Sequence, residues 1–326
     1  MRIGLDISGG DFAPKATIDG ALLAREVLPN DVTIVLLGDE ALIHAEFESR
    51  GKQFDGFEVV HAPEVITYHD HPTRAIPQKP QSSIAVGFDL LSKSNLDVFA
   101  STGNTGAMLV GSMYKLNTVP GIIRPCITST LPALDGSQSI LLDVGSNADC
   151  KADVLYQFAV LGALYSKYVH GVENPRVALL NIGEEDSKGN LLTIAAYKLL
   201  SESDELNFVG NIEGRDLFTG VADVIVCDGF TGNIVLKEAE GIYTLMRKRG
   251  IRDEYFDRFN YENYGGTPIL GVKGNVIIIK TQLERVGFFL IRSERVGHFC
   301  SPCSRFSRYM VAASIGAKQL TFVLCL

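Results

Sequence analysis

What most restricts this chain is a rhythm: apolar runs of strand length alternate with helix-patterned segments from the first residue onward. "MRIGLDI" reaches Asp6 and then Gly9, Gly10 and Asp11, and "KATIDGALLAREVL" follows Pro14, which suits a first helical turn. "VTIVLLGD", "FEVVHAP", "LDVFAS", "SILLDVG", "RVALLNIG", "LNFVGNI", "ADVIVCDG" and "NVIIIK" continue the series. Runs such as "SILLDVG" and "RVALLNIG" are almost wholly apolar, as in strands covered on both faces. This alternation predicts βαβ units in a Rossmann-like α/β fold, a mainly parallel sheet with helices on both faces. At 326 residues the chain suffices for one large domain or two lobes. Residues 64–83, rich in proline, read as a surface loop entering the helix "SIAVGFDLLSKS".

In open parallel sheets ligands bind beyond the carboxyl ends of the strands. The unusual residues of this chain collect there: Gly9, Gly10 and Asp11; Gly103, Asn104, Thr105 and Gly106; Asp143, Gly145 and Asn147; Gly183, Glu185, Asp186, Lys188 and Asn190; Asp228, Gly229, Thr231, Gly232 and Asn233. One glycine-rich turn is commonly a matter of geometry. The same chemistry after several strands points to a ligand. Glycine turns that open helices offer N–H groups and a positive helix end to an anion. Thr105 and Thr231 can add hydroxyls, and Asn104 and Asn233 amides. No turn matches the dinucleotide fingerprint or the P-loop, so orthophosphate or the diphosphate of a carrier fits better than a nucleotide. Lys188, in "EEDSKGN", is either a solvated loop lysine or a point charge for phosphate, and the residues alone leave both open.

Other classes are disfavoured. A net charge of −8 argues against nucleic acid, whose backbone requires a basic face. His61, His69 and His71 lack a third-ligand pattern, so no metal or other cofactor is expected. Cys227 reads as a small core residue. Six scattered cysteines, no export segment and no run long enough to span a bilayer point to the cytoplasm.

"DISGGDFAPK", "STGNTGA", "LLDVGSNAD", "LLNIGEEDSKGN", "FVGNIEGRDL", "DGFTGNIVLK" and "NYGGTPILG" resemble, in order, the motifs of the phosphate acyltransferase (PlsX) family of bacterial phospholipid synthesis. The resemblance covers residues 1 to about 279. It implies a fold similar to isocitrate and isopropylmalate dehydrogenases, a homodimer, and acyl transfer from acyl-[acyl carrier protein] to orthophosphate. The acyl phosphate would feed a membrane glycerol-3-phosphate acyltransferase on the way to phosphatidate. It further implies that Lys188 and Asn233 serve catalysis. Gly9, Gly10, Asp11, Gly103, Asn104, Thr105, Gly106, Asn147, Asp228, Thr231 and Gly232 are then expected to bind phosphate or the carrier's pantetheine.

Two departures stand out. The segment before "NYGG" is short, with Arg247, Lys248 and Arg249 in a row, a cluster able to meet anionic lipid at the inner face of the membrane. After Ile279 the motifs stop. Residues 280–326 are basic and cysteine-rich with poor periodicity, and resemble an out-of-frame translation more than a closing helix. The competing readings are a phosphotransacetylase or phosphotransbutyrylase using acyl-coenzyme A, a nicotinamide-dependent dehydrogenase, and an inactive scaffold that binds the carrier protein.

Overall fold

The computed structural model describes residues 1–260 and 266–279, together with the backbone of strands at 288–292 and 321–325. The expectation for the 280–326 tail therefore lies outside the described residues, those two strands apart, as does most of "NYGG". The chain divides into two compact units.

The first unit contains residues 1–119 and the strands that follow residue 265. Its elements are β1 (Arg2–Asp6), α1 (Lys15–Val27), β2 (Thr33–Gly38), α2 (Glu40–Ser49), β3 (Phe57–His61), α3 (Pro72–Gln78), α4 (Ser83–Ser92), β4 (Val98–Ser101) and α5 (Thr105–Gly111). Their strands join two later ones, numbered below in chain order as β10 (Thr267–Leu270) and β11 (Asn275–Ile278), in the order β3-β2-β1-β4-β11-β10. Every pairing is parallel except β10 with β11. A separate antiparallel ribbon joins β12 (Phe288–Arg292) and β13 (Thr321–Cys325).

Strand alternation sorts the side chains of this sheet. Ile3, Leu5, Ile34, Leu36, Val98 and Ala100 pack with Ile18 and Ala21 of α1 and with Ile43 and Phe47 of α2. The intervening Phe99 meets Phe88 of α4 edge-on, ring centroids 5.2 Å apart. Helices thus cover both faces, as the sequence predicts. The helix starts are specified locally. Asp39 accepts from the N–H groups of Ala41 and Leu42 at the head of α2, and Ser82 accepts from Ala85 N–H at the head of α4.

The second unit spans residues 120–260. It contains β5 (Cys126–Pro132), β6 (Gln138–Leu142), α6 (Ala152–Tyr165), β7 (Arg176–Leu180), α7 (Leu191–Ser201), β8 (Asn207–Ile212), β9 (Val224–Val226), α8 (Gly229–Lys248) and the short α9 (Glu254–Asp257). The strand order is β5-β6-β9-β7-β8, with only β5 against β6 antiparallel. Helix α6 lies on β6, β7 and β9 and buries Leu155 and Phe158 completely.

Residues 64–83 are not wholly a loop, as the proline content predicts, because α3 forms within them. Pro72 stands at its first turn, where the missing N–H has no partner to lose. His61 and His71 serve structure here. His61 Nδ1 accepts from Glu40 N–H, and His71 Nδ1 shares a hydrogen bond with the Thr73 hydroxyl.

Candidate active site

In the first unit the turns after β1 and β4, which are neighbours in the sheet, are built around one buried carboxylate. Asp6 is 0% exposed. Its Oδ1 accepts from the Ser8 and Gly9 N–H groups at 2.9 and 3.0 Å, and its Oδ2 from the Ser101 hydroxyl at 2.6 Å. Burial pushes its pKa up, against hydrogen bonds from Ser101, Ser83, Ser8 and Gly9 that pull it down. The two turns touch: a Cβ on Gly9 would lie 2.4 Å from Asp6 Oδ2 and 2.7 Å from Gly103 N. The Thr102 hydroxyl donates to Gly9 O at 2.6 Å. Gly10 follows at φ +96°, and Asp11 is exposed.

The amide of Asn104 is spent on structure. Its Oδ1 caps α5 by accepting from Ala107 N–H, and its Nδ2 donates to the carbonyls of Thr67 and Asp70. Gly106 abuts Pro72. Thr105 is exposed, and its hydroxyl has no partner among the described residues. The 64–82 segment clasps this turn. Tyr68 donates to Thr102 O at 2.9 Å. Asp70 accepts from Thr67 and Lys79, and the Lys79 ammonium holds its carboxyl down at about 2. Burial, and then the charges of Asp11 and Asp6, push the Tyr68 phenol up.

In the second unit β6, β9, β7 and β8 run parallel in that order, so their carboxyl ends share one edge. The β6 turn contains Asp143, 0% exposed, whose carboxylate accepts from Ile127, Ser146 and Asn147. Asn147 is buried, and its Nδ2 is spent on Pro125 O at 2.8 Å and on Asp143 Oδ2 at 2.9 Å. After β9, Asp228 caps α8: its carboxylate accepts from the N–H and the hydroxyl of Thr231 at 2.9 and 2.8 Å. Gly229 N–H donates to Asn147 O. This helix head is largely satisfied from within. Asn233 is different. It is exposed, its amide has no partner among the described residues, and it stands over Gly145, where a Cβ would lie 3.4 Å from its Oδ1.

Lys188 lies in the loop after β7, the strand hydrogen-bonded to β9. Asn181 Nδ2 donates to Lys188 O at 3.0 Å, and Asn211 Nδ2 donates to Glu185 O at 2.9 Å, so two strand-end amides pin the loop. Gly189 turns at φ +102°, and Asn190 opens α7 with a capping box shared with Thr193. Lys188 is exposed and forms no ion pair among the described residues, although acids adjoin it in sequence. Three buried thiols around Asp143 are unfit as nucleophiles. Burial pushes Cys126 and Cys227 well up and Cys150 to about 12, with Asp143 adding to each.

The sequence reading missed the weight of Asp6 and Asp143. The signal was present: each is a lone acid ending an apolar strand, in "GLDISGG" and "LLDVGSN".

A family model described as "Fatty acid synthesis protein" matches residues 1–290. The phosphate acyltransferase of Syntrophomonas wolfei subsp. wolfei is 42% identical over 292 residues, 87% of this chain and 90% of that one. The phosphate acyltransferase of Lysinibacillus sphaericus is 42% identical over 297 residues, covering 85% and 88%. This chain belongs to the phosphate acyltransferase family. The fold also resembles two solved structures. They are the EutD phosphotransacetylase from Staphylococcus aureus (TM-score 0.56, 17% identity, 86% of this chain and 88% of that one) and a phosphotransacetylase from Streptococcus pyogenes (TM-score 0.59, 16% identity, 85% and 87%). For the phosphate acyltransferase family the match extends past Ile279, where the recognisable motifs stop.

Proposed function

We propose that the chain transfers the acyl group of an acyl-[acyl carrier protein] thioester to orthophosphate, with Lys188 and Asn233 as the groups that handle the anion. The observation that carries this reading is selective satisfaction. Asn104, Asn147, Asp228 and Thr231 use their polar groups within the fold. Lys188, in the loop after β7, and Asn233, in the first turns of α8 after the paired strand β9, have no side-chain partner among the described residues and so keep theirs for solvent or ligand.

The chemistry asks for little more. Orthophosphate near neutral pH is already a nucleophile, so capture and aim supply much of the rate. A phosphate oxygen bonds to the thioester carbon, the carbonyl passes through an oxyanion, and the carbon–sulfur bond breaks. The thiolate, from a thiol of pKa about 8.5, leaves without a strong acid. Lys188 supplies charge to the phosphate or the oxyanion, and Asn233 donates to the same group. Gly9, Gly10, Asp11, Gly103, Thr105 and Gly106 belong to the turns of the first unit, for which we propose a separate role in binding phosphate or the carrier's pantetheine.

The working form we propose is a homodimer at the cytoplasmic face of the membrane, passing acyl phosphate to a glycerol-3-phosphate acyltransferase. No helix among the described residues is long and apolar enough to cross a membrane. Of the basic run ending α8, Arg247 pairs with Asp257, while Lys248 and Arg249 are exposed beside exposed Ile242 and Leu245. That combination suits an anionic bilayer surface.

The test is palmitoyl-carrier protein plus orthophosphate with the purified chain. We expect phosphate-dependent release of carrier thiol, with acyl phosphate trapped by hydroxylamine. Turnover with palmitoyl-coenzyme A but not with the carrier protein would overturn the donor assignment.

A further inference from the structure

We infer that Asp143 is a positioning residue that acts through Asn233: its buried carboxylate locks the β6 turn and the head of α8 into one rigid piece, and so sets where the Asn233 amide points. The inference rests on the role proposed for Asn233.

Asp143 is anchored on all sides. Its Oδ1 accepts from Ile127 N–H at 3.0 Å, Ser146 N–H at 3.4 Å and the Ser146 hydroxyl at 2.6 Å. Its Oδ2 accepts from Asn147 N–H at 2.6 Å and Asn147 Nδ2 at 2.9 Å. The carboxylate therefore ties β5 to the turn that follows β6. Its backbone is bound as tightly, since Asp143 N–H donates to Cys227 O at 3.0 Å.

The head of α8 rests directly on this residue. A Cβ on Gly229 would lie 2.8 Å from Asp143 Oδ2, and a Cβ on Gly232 would lie 1.9 Å from Asp143 O. No side chain fits between them. Asn147, held by the same carboxylate, accepts from Gly229 N–H at 2.8 Å. Asn233 follows Gly232 and stands over Gly145 of the same turn, where φ is +126°. The support beneath the amide thus comes from the Asp143 turn. Buried carboxylates that accept many N–H groups hold a loop in one conformation, and misplacing a catalytic group by about 1 Å can cost ~100-fold in rate.

The experiment is a double-mutant cycle on phosphate-dependent acyl transfer with Asp143→Asn, Asn233→Ala and the pair. Asparagine turns one acceptor oxygen into a donor facing N–H groups. Asp143→Asn should lower kcat by about 100-fold, with a smaller change in the KM for carrier thioester. In the Asn233→Ala background the same substitution should cost less than about 3-fold. Losses that multiply would mean that Asp143 does not act through Asn233 and would overturn the inference. An Asn233→Ala enzyme as active as the parent would instead remove the proposed role of Asn233 itself. Should Asp143→Asn fail to fold, Ser146→Ala removes one hydroxyl donor and keeps the carboxylate. Its smaller loss in kcat must likewise vanish in the Asn233→Ala background, and persistence there refutes the coupling.

Discussion

At the scale of single residues, the exposed Lys188 and Asn233 contrast with the engaged polar groups around them. Replacing Lys188 or Asn233 by alanine should lower kcat/KM by about 100- to 1,000-fold, the cost of losing a group that stabilises developing charge, with thermal stability nearly unchanged because neither side chain has a hydrogen-bond or ion-pair partner among the described residues. Steady-state kinetics beside a thermal melt checks both parts. Asp6 gives a pH signature. Its folded-state pKa is raised, so the folded protein holds that proton more tightly than the unfolded chain does. The stability gained is full below the unfolded value of about 3.9 and is lost as pH rises through the folded value. Asp6→Asn is neutral at every pH. It should melt above the parent near about pH 8, with the gap shrinking toward about pH 4. A gap independent of pH would show that burial does not raise the carboxyl.

At the scale of elements, the head of α8 leaves no space for a side chain. Gly232→Ala places a methyl 1.9 Å from the Asp143 carbonyl, so helix or turn must move. We expect a loss of about 2–3 kcal/mol from overpacking, read from urea unfolding, and an activity loss larger than Lys188-remote surface changes produce. The far end of the same helix predicts a different readout. Replacing Lys248 and Arg249 by glutamate should abolish co-sedimentation with phosphatidylglycerol vesicles while leaving turnover of soluble substrate intact. Helix α3 shows what local pattern conceals. The prolines of 64–83 suggest a loop, yet Pro72 begins a helix whose segment holds Tyr68 against Thr102. Strands β5 and β10 fall outside the strand–helix alternation read from the sequence, because each pairs antiparallel with the next strand in the chain rather than through a helical crossover.

At the scale of the whole molecule, each unit depends on helices laid closely on a sheet. In the second, Phe158 is 0% exposed, and α6 approaches β9 so closely that a Cβ on Gly162 would lie 2.5 Å from Val224. Phe158→Ala should cost about 3–5 kcal/mol, measured by denaturant unfolding, and lower activity only as the folded fraction falls.

The sequence by itself determined the class of fold, because alternating apolar strands and helix-patterned segments admit few arrangements besides a parallel sheet covered by helices. It also placed the unusual residues at strand ends, since glycine and asparagine punctuate βα turns, and its motifs named the family. Only the tertiary structure decided which of those residues remain open to a ligand. Asn104 and Asn233 both follow a Thr-Gly pair, yet one is consumed by the carbonyls of Thr67 and Asp70 and the other has no partner among the described residues. Hydrogen-bond satisfaction depends on partners distant in the chain, and no local pattern records them. The same holds for Asp6 and Asp143, whose roles follow from burial among donors that folding alone brings together.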